Sequence, residues 1–308
     1  MSDKVKILIA DKIDLTHLKI LNKKLFDVTL KTGMSNPYIL KYTYDKYFNV
    51  LLIKSQRKID KHFLSRCNFE IIGTASKGVD HIDLKYAEKR KILIINSENG
   101  NTLSAAEHTF ALILDSIKKT HYSDKLVRQG RFNEWGYERR TLSGKRIGII
   151  GTGKVGLQVA KFALAFNMEV LANDIDPLVR KENINLKYRS LKYLLRNSDI
   201  VTVHIPLCEN NRMFIDKECF KTMPANIIFV NTSRGEVIDE RSLIKKLQRE
   251  KQFFSALDVF MNEPEINSEL SGLANVILTN HVAGKTREGE QNIGLELFTQ
   301  LKNKYCIN

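Results

Sequence analysis

Three polar segments in the second half of the sequence carry side chains that can bind a carboxylate and move a proton. Each follows a short apolar run that predicts a β-strand, and together they contain Arg234, then Asp258 and Glu263, and then His281. In sheets of parallel strands, ligands bind at the carboxyl edge, where such segments converge. Arginine can hold a carboxylate through two parallel hydrogen bonds. A histidine backed by a carboxylate can transfer one proton near neutral pH. These residue types predict acid–base chemistry on a small organic acid.

Each of these residues also has a structural interpretation. Arg234 alone could form a surface ion pair, and Glu263 precedes a proline in a sequence that is often only a turn. The other six histidines lack a strand-end position with an acidic partner nearby, and they are His17, His62, His81, His108, His121 and His204. His281 is therefore the predicted acid–base residue.

A glycine-rich segment in the middle of the chain predicts where a cofactor binds. Gly151, Gly153 and Gly156 follow the apolar run at 147–150 in G-x-G-x-x-G spacing, and an amphipathic segment comes next. The first glycine permits a tight turn, the second lets backbone approach a pyrophosphate, and the third lets the helix pack on the strand. The pyrophosphate would meet free N–H groups at the helix N-terminus. Asp174 follows the next apolar run, where a carboxylate can accept hydrogen bonds from a ribose.

The order of strand, glycines, helix, second strand and acidic residue is typical of a dinucleotide site. A nucleotide-triphosphate P-loop needs serine or threonine after Lys154, and Val155 stands there instead. A tight turn without a ligand is the remaining alternative. Because Asp174 would repel a 2′-phosphate, the sequence predicts NAD rather than NADP. With the arginine and histidine, this site favours hydride transfer between an alcohol carbon and nicotinamide.

Composition narrows the class of protein. With 308 residues, 43% of them hydrophobic, the chain can bury a large core and is predicted to form two domains. No apolar run is long enough to span a membrane, and the lysine-rich N-terminus lacks a signal-peptide core, so no membrane partner is predicted. The cysteines, scattered without a C-x-x-C pair, are Cys67, Cys208, Cys219 and Cys306. This usage favours reduced thiols in the cytoplasm over a disulfide framework or a metal site.

The formal net charge of +14 raises the alternative of a nucleic-acid-binding protein. The lysines are spread along the whole chain, however, and do not gather into a basic arm or an aromatic-laced patch. We therefore predict no nucleic-acid partner. The charge favours a solvated surface with positive potential for an anionic substrate.

Short apolar runs predict alternating strands and helices. In the first hundred residues the predicted strands are 5–10, 50–53, 71–74 and 92–95, and a helix face is predicted at Leu15, Leu18 and Leu21. Later in the chain the predicted strands are 146–150, 169–173, 200–204, 227–231, 254–258 and 276–279. Between the two sets, Ser104 and Glu107 have capping-box spacing ahead of a long apolar helix. The alternation predicts parallel sheets covered by helices, and the six later strands match a complete Rossmann domain.

Seven ordered segments resemble the D-isomer-specific 2-hydroxyacid dehydrogenases, over nearly the whole chain. They are GTASKGVDHID at 73–83, GNTLSAAEHTFALIL at 100–114, the glycine segment, SDIVTVHIP at 198–206, VNTSRGEVIDE at 230–240, ALDVFMNEP at 256–264 and NHVAG at 280–284. The resemblance implies two doubly wound parallel-sheet α/β domains. A Rossmann NAD-binding domain at 101–284 would be inserted in a flavodoxin-like substrate domain formed by 1–100 and 285–308. A homodimer through the helix at about Ser104–Lys118 is also implied.

The resemblance also implies roles for single residues. Arg234 would orient the substrate carboxylate and keto oxygen, His281 would be the acid–base residue, and Glu263 would pair with it. Asp258 would face the nicotinamide, and Asp174 would hold the adenosine ribose. Further implied cofactor contacts are Gly151, Gly153, Lys154, Val155, Gly156, His204, Pro206, Thr232, Ser233, His281 and Gly284. Implied substrate contacts, besides Arg234 and His281, are Lys54, Ser55, Ser76, Lys77, Gly78 and Val79.

Within that family the sequence looks most like the members that oxidise D-3-phosphoglycerate in serine synthesis, but it departs from them near the substrate. Thr74 and Lys54 stand where many of those enzymes have arginine, and Ser76 replaces a common glycine. Cations that could compensate are Lys54, Arg57, Lys77, Arg139 and Arg140. Because the sequence ends at Asn308, no C-terminal regulatory domain and no serine feedback through one are expected.

The predicted activity is NAD-dependent oxidation of D-3-phosphoglycerate to 3-phosphohydroxypyruvate. The nearest alternative is a glyoxylate or hydroxypyruvate reductase, or another D-2-hydroxyacid dehydrogenase, with the same machinery. NAD-sensing transcriptional corepressors, which are binding proteins, share the fold and can keep the arginine, glutamate and histidine. The compact chain without a disordered tail favours an enzyme. Formate-oxidising members carry glutamine where Glu263 stands, so the sequence speaks against that activity.

Overall fold

The computed structural model of this chain describes residues 4–182 and 186–306. These residues form two compact units, one lying within Met1–Thr102 and Lys285–Asn308 and the other within Leu103–Gly284. Each unit is an α/β structure with a parallel sheet, as the sequence predicts. Within the two described ranges, no helix is long and apolar enough to cross a membrane.

Strands and helices alternate along the chain, a pattern that produces parallel sheets covered by helices. The strands are β1 (Val5–Ile9), β2 (Phe26–Leu30), β3 (Val50–Ile53), β4 (Ile71–Thr74), β5 (Leu93–Asn96), β6 (Arg146–Ile150), β7 (Glu169–Asn173), β8 (Lys187–Tyr188), β9 (Ile200–Val203), β10 (Ile228–Asn231), β11 (Phe254–Leu257) and β12 (Val276–Leu278). The helices are α1 (Asn36–Tyr42), α2 (Lys61–Arg66), α3 (Leu84–Lys89), α4 (Thr102–Lys118), α5 (Thr120–Arg128), α6 (Lys154–Ala165), α7 (Pro177–Glu182), α8 (Leu191–Asn197), α9 (Lys217–Thr222), α10 (Glu240–Arg249), α11 (Ser268–Ser271) and α12 (Arg287–Cys306).

The first unit contains a five-stranded sheet in the order β2-β1-β3-β4-β5. This is the flavodoxin-like strand order, so the fold class predicted for this part of the chain is confirmed. The inner strands β3 and β4 are buried along their whole length. One face of the sheet packs against α1, α2 and α3, and the other is covered by α12 through Ile293, Leu297 and Phe298.

The second unit contains a seven-stranded sheet in the order β12-β11-β10-β9-β6-β7-β8. From β8 to β11 this is the Rossmann order, and β12 is added at the edge. Successive residues of β10 face opposite sides, so that Phe229 packs with α8, α9 and α10, whereas Ile228 and Val230 pack with α4 and α6. Burying each such side chain contributes roughly 1.5–3 kcal/mol. The two-sided burial explains why this strand is an unbroken apolar run.

Two edge strands are absent from the sequence prediction. The segment of β2 alternates apolar residues with Asp27 and Thr29, and β8 is only two residues long, Lys187–Tyr188. An edge strand has only one neighbour and can face solvent, so it does not need a continuous apolar run. The six strands predicted in the later part of the chain are all present, but their number is wrong, since the sheet has a seventh strand, β8.

Two predicted helix features are also wrong. Instead of a helix built on Leu15, Leu18 and Leu21, the structure has a short 3-10 turn at Leu18–Ile20. The three leucines nevertheless pack in the apolar cluster beneath α12. Ser104 is not a helix cap, because α4 begins before it and the serine is buried inside the helix.

The loops that follow β10 and β11 touch through their backbones at Gly235. A Cβ atom at this position would lie 1.9 Å from the carbonyl carbon of Phe260 and 2.0 Å from its oxygen. Only glycine leaves room for this approach. The contact holds the segment that contains Arg234 against the segment that contains Glu263.

Gly235→Ala should lower the free energy of unfolding by at least about 2 kcal/mol, because the added methyl group meets backbone that cannot rotate away. Gly272→Ala is the matched control, since its Cβ would lie 3.5 Å from the nearest atom, the carbonyl oxygen of Ser268. The control should change stability by less than about 1 kcal/mol. Urea unfolding midpoints of the two variants measure the difference, and equal midpoints would contradict the inferred contact.

Candidate active site

His281 and Glu263 form a directly hydrogen-bonded pair. Nδ1 of His281 lies 2.6 Å from Oε2 of Glu263, and the imidazole is 42% exposed. The other carboxylate oxygen, Oε1, accepts a hydrogen bond of 3.1 Å from the backbone N–H of Phe260. The carboxylate therefore fixes the Nδ1 side of the ring, and Nε2 is directed away from it. An imidazole held in this way can give or take one proton at Nε2.

Electrostatics favour a charged Glu263. Partial burial raises the pKa of its carboxyl, but the hydrogen bond and charge of His281, the N–H of Phe260 and the charge of Arg234 outweigh burial and lower the pKa overall. The carboxylate is therefore ionised at neutral pH. The charged carboxylate can therefore hold the Nδ1 side of the imidazole by a charge-assisted hydrogen bond.

A buried carboxylate, Asp258, holds the loop on which His281 lies. Its side chain is 0% exposed and accepts hydrogen bonds from Oγ1 of Thr279 at 2.6 Å and from the N–H groups of Val282 and Ala283 at 2.9 Å each. The N–H of His281 donates to the backbone oxygen of Asp258 at 2.9 Å. His281 has a left-handed backbone with φ of 54°, which costs a non-glycine residue roughly 1–2 kcal/mol. We infer that Asp258 stabilises this strained loop.

His108 is a site residue that sequence reasoning missed. Its Nε2 lies 3.4 Å from Oδ1 of Asp258 and 3.2 Å from Oγ1 of Thr279. Burial raises the pKa of the Asp258 carboxyl, but the hydrogen bonds from His108, Thr279 and the two backbone N–H groups outweigh it, so the net shift is downward. The acidic partner follows His108 by 150 positions, and nothing in the local sequence marks it.

The predicted contact between Asp258 and nicotinamide stays a prediction. In this structure both carboxylate oxygens are engaged and the side chain does not reach solvent. A direct contact with a bound cofactor would therefore require the loop at 279–283 to move. The observed role of the residue is to anchor that loop.

The loop of Arg234 is organised by a buried asparagine. The side chain of Asn231 donates to the carbonyl of Arg234 at 2.8 Å and accepts from N and Oγ of Ser233 at 3.0 and 2.8 Å. Oγ1 of Thr232 lies 2.7 Å from Oγ1 of Thr109 on α4, which ties the loop to that helix. Arg234 is half-buried, and its charge acts on Glu263. Thus the second unit brings Arg234, Glu263 and His281 into one electrostatic group.

The glycine segment has the shape that a dinucleotide needs. Gly151 has φ of +87°, and a Cβ on Gly156 would lie 2.0 Å from the oxygen of Gly151, so both positions demand glycine. A Cβ on Gly153 would meet nothing within 4 Å, which leaves open space over the N-terminus of α6. Oδ2 of Asp174 accepts hydrogen bonds from N and Oγ1 of Thr152 at 2.6 and 3.0 Å, beside this space. These residues fit a pyrophosphate and an adenosine ribose.

The remaining predicted cofactor residues lie on the elements around this segment. Lys154 and Val155 open α6, and the backbone oxygen of His204 would lie 2.7 Å from a Cβ on Gly151. Pro206 accepts a hydrogen bond from Asn211 through its backbone oxygen, and Gly284 follows the loop anchored by Asp258. Among the residues that the structure describes, no cluster of three or more His, Cys, Asp or Glu side chains is arranged to hold a metal ion.

The predicted substrate residues of the first unit lie in the loops after β3 and β4. Lys54 and Ser55 follow β3, and Ser76–Val79 follow β4. Thr74 is fully buried, and its Oγ1 lies 3.0 Å from both Oγ of Ser76 and Nε2 of His81. Its hydroxyl is therefore committed to the loop itself.

Arg57 is poorly suited to replace a missing phosphate-binding arginine. Its guanidinium donates to both carboxylate oxygens of Asp11, to the side chain of Asn36 and to the backbone oxygen of Met34. These contacts use four of the five N–H donors of the guanidinium. Arg57 therefore joins β1, α1 and the loop after β3 as a structural residue.

Comparison with known proteins identifies the family. Residues 110–283 match the family model for the NAD binding domain of D-isomer specific 2-hydroxyacid dehydrogenases. A D-3-phosphoglycerate dehydrogenase of Archaeoglobus fulgidus is 36% identical over 304 residues, which cover 97% of this chain and 57% of that protein. A hydroxypyruvate reductase of Thermotoga maritima is 32% identical over 257 residues, covering 82% of this chain and 83% of that protein. The structure of an Aquifex aeolicus D-lactate dehydrogenase complexed with NAD and lactic acid is similar, with a TM-score of 0.83, 26% identity and coverage of 97% and 95% of the two chains.

These matches confirm the family resemblance drawn from the seven sequence segments. The chain spans little more than half the length of the curated D-3-phosphoglycerate dehydrogenases that it matches, between 54% and 57%. The relatives carry the names of enzymes with different substrates. They therefore show the family and leave the individual 2-hydroxy acid open.

Asp258→Asn should destabilise the protein by about 1–3 kcal/mol and reduce turnover, because an amide nitrogen cannot accept the hydrogen bonds that the carboxylate accepts. Since the folded-state pKa of Asp258 lies below the ordinary value of about 3.9, its contribution is present above that pH and is lost as pH falls through the folded value. The stability difference from wild type should thus be largest near neutral pH and shrink below about pH 4.

Urea unfolding across pH measures this difference, and Asp45→Asn, at an exposed position of the first unit, is the control. A variant at 258 with wild-type stability and wild-type turnover would show that the loop does not depend on this carboxylate.

Proposed function

This chain belongs to the D-isomer-specific 2-hydroxyacid dehydrogenases, and we propose that its reaction is the NAD-dependent oxidation of D-3-phosphoglycerate to 3-phosphohydroxypyruvate. The observation that carries the proposal is the 2.6 Å pair of His281 and Glu263, with the charge of Arg234 acting on it. Relatives named D-3-phosphoglycerate dehydrogenase, 31% to 36% identical to this chain, support the choice of substrate. The place of this reaction in serine synthesis is part of the same proposal.

In the proposed mechanism Arg234, His281 and Glu263 each have a separate role. Arg234 binds the substrate carboxylate through two parallel hydrogen bonds. Neutral His281 accepts the proton of the 2-hydroxyl group at Nε2, and Glu263 stabilises the imidazolium that forms. NAD, which the glycine segment and Asp174 would hold, would supply the acceptor for the hydride from the carbon that bears this hydroxyl group. Because oxidation of the alcohol releases a proton and reduction of the ketone consumes one, oxidation should be favoured at alkaline pH and reduction nearer neutrality.

We also propose that the first unit is the substrate domain and the second the NAD-binding domain. Asp174 would hold the adenosine ribose and exclude a 2′-phosphate, because its carboxylate lies beside the glycine segment. A homodimer through α4 stays a prediction. That helix exposes Leu103, Glu107 and Ala111 at four-residue spacing, along one solvent-facing line.

A hydroxypyruvate or glyoxylate reductase is the second candidate. One observation favours it: Lys54, which would otherwise offer a free charge to a phosphate, is paired with Glu290 at 2.7 Å. The hydroxypyruvate reductase of Thermotoga maritima is also among the relatives. The two candidates use the same acid–base pair and differ only in the substrate group distant from the carboxylate.

Steady-state kinetics tests the substrate and the cofactor together. Oxidation is measured with D-3-phosphoglycerate, D-glycerate and D-lactate, and reduction with hydroxypyruvate and glyoxylate. We expect the highest kcat/KM for D-3-phosphoglycerate. NAD should be preferred to NADP by at least about tenfold, equivalent to roughly 1.4 kcal/mol. A preference for glyoxylate or hydroxypyruvate would replace the phosphoglycerate proposal with the reductase, and equal use of NADP would remove the role of Asp174.

His281→Ala should reduce turnover by about 10²–10⁴-fold, the range that general acid–base catalysis supplies, while the Kd for NADH stays nearly unchanged. Fluorescence titration with NADH separates binding from catalysis. His62→Ala, at an exposed position on α2, is the control and should keep wild-type turnover. Near-wild-type turnover in the His281 variant would assign proton transfer to another residue.

A further inference from the structure

Two neighbouring side chains of α4 face the loops that carry the candidate catalytic residues. His108 contacts the loop of His281, and Thr109 contacts the loop of Arg234. The side chain of His108 is 22% exposed, and Thr109 is fully buried. One helix therefore contacts both loops through consecutive residues, and all of these residues belong to the second unit.

The hydrogen bond of His108 has a defined direction. Oγ1 of Thr279 donates its single proton to Oδ1 of Asp258 at 2.6 Å, so the hydroxyl can only accept from a third group. The carboxylate is ionised, because the hydrogen bonds to it outweigh burial and keep its pKa below the ordinary value, and it too can only accept. Nε2 of His108, 3.2 Å from the hydroxyl and 3.4 Å from the carboxylate oxygen, must therefore carry a proton. This N–H is one more donor directed at the group that anchors the loop of His281.

The contact of Thr109 also has a defined direction, with the helix residue as acceptor. Thr109 donates its hydroxyl proton to the backbone oxygen of Ala105, one turn earlier in α4, at 2.7 Å. Its oxygen therefore accepts from Oγ1 of Thr232, 2.7 Å away. The side chain of Asn231, the last residue of β10, donates to the carbonyl of Arg234 at 2.8 Å. The loop of Arg234 is thus tied to α4 at one residue and to its own strand at another.

We propose that His108 and Thr109 are positioning residues with separate effects: His108 sets the geometry of proton transfer by His281, and Thr109 sets the geometry of substrate binding by Arg234. The inference rests on the proposed function, because it uses the roles given there to His281 and Arg234. Neither residue of α4 needs to touch the substrate. Since a displacement of about 1 Å at a reacting group can reduce the rate 10²-fold, a small shift of either loop is sufficient.

The alternative is that the two side chains only stabilise the packing of α4. In that case removal of either one would lower the unfolding midpoint and would change kcat and KM in the same way in both variants. Positioning predicts instead that the two variants differ in the kinetic parameter that they change. The two effects are separable because the hydrogen bonds of His108 and Thr109 end on different loops.

His108→Leu should lower kcat by about 10- to 100-fold and change KM for D-3-phosphoglycerate by less than about threefold, because it removes the N–H directed at Asp258. His108→Gln keeps an N–H donor at the end of the side chain and should restore most of the lost turnover. His121→Leu is the matched control and should keep wild-type kcat. It also removes an imidazole beside a carboxylate, since Nδ1 of His121 lies 2.8 Å from Oδ2 of Asp115.

Thr109→Val keeps the shape of the side chain and removes the oxygen that accepts from Thr232. It should raise KM for D-3-phosphoglycerate by about tenfold, equivalent to roughly 1.4 kcal/mol, and change kcat by less than about threefold. Thr109→Ser keeps the hydroxyl group and should restore KM. Thr222→Val is the matched control and should keep wild-type KM. It removes the same type of hydrogen bond within a helix, from Oγ1 of Thr222 to the backbone oxygen of Glu218 at 2.8 Å.

Amide hydrogen exchange, followed by mass spectrometry, provides a measurement that does not depend on turnover. In His108→Leu, exchange should be at least about fivefold faster in the peptide that covers 279–283, where two backbone N–H groups donate to a carboxylate, and unchanged in the peptide that covers 231–235. Thr109→Val should show the reverse pattern.

Failure of the proposed function is distinguishable from failure of this inference. If D-3-phosphoglycerate proves not to be a substrate, the proposed function fails, and the kinetic comparison is made with hydroxypyruvate and NADH. The exchange pattern decides the positioning roles in either case. Unchanged exchange in both loops, faster exchange of the same loop in both variants, or equal changes of kcat and KM in both variants would overturn the inference.

Discussion

The segment that carries the candidate acid–base residue His281 is held by one buried carboxylate. Asp258 directly follows β11 and uses both side-chain oxygens to hold the segment after β12, so that His281 keeps its left-handed backbone beside Glu263. A single buried charge can do this because several donors converge on it, and donors to a charged acceptor form the stronger hydrogen bonds. The imidazole itself is half exposed, so its position comes from the backbone beneath it rather than from packing around the ring.

The same edge of the second sheet carries every feature assigned to catalysis or cofactor binding. Parallel strands deliver their following loops to one side, and Gly235 lets two of these loops touch. The glycine segment leaves open space over α6, while Asp174 is fixed by Thr152. The residues proposed for substrate chemistry and for cofactor binding therefore lie on loops at one edge of one sheet, and backbone hydrogen bonds tie these loops to the neighbouring strands.

Local patterns in the sequence were sufficient to predict the central strands, the glycine segment and the strand-end positions of Arg234 and His281. Each of these signals spans only a few neighbouring residues. Edge strand β8 was not predicted, because two residues are too few to show an alternation of apolar and polar side chains. The contact of His108 with Asp258 and that of Lys54 with Glu290 join residues 150 and 236 positions apart. No local rule relates such residues, and only the folded topology brings them together.

The interrupted layout of the first unit has a consequence for the order of folding. Ile293, Leu297 and Phe298 complete the apolar cluster on one face of its sheet, yet they are synthesised after the whole of Leu103–Gly284. The second unit is continuous in sequence and can close its core as soon as it emerges, as domains generally do during synthesis. One apolar face of the first sheet therefore stays uncovered until α12 has been synthesised. Its completion is therefore the late event in biogenesis and the stage most exposed to aggregation.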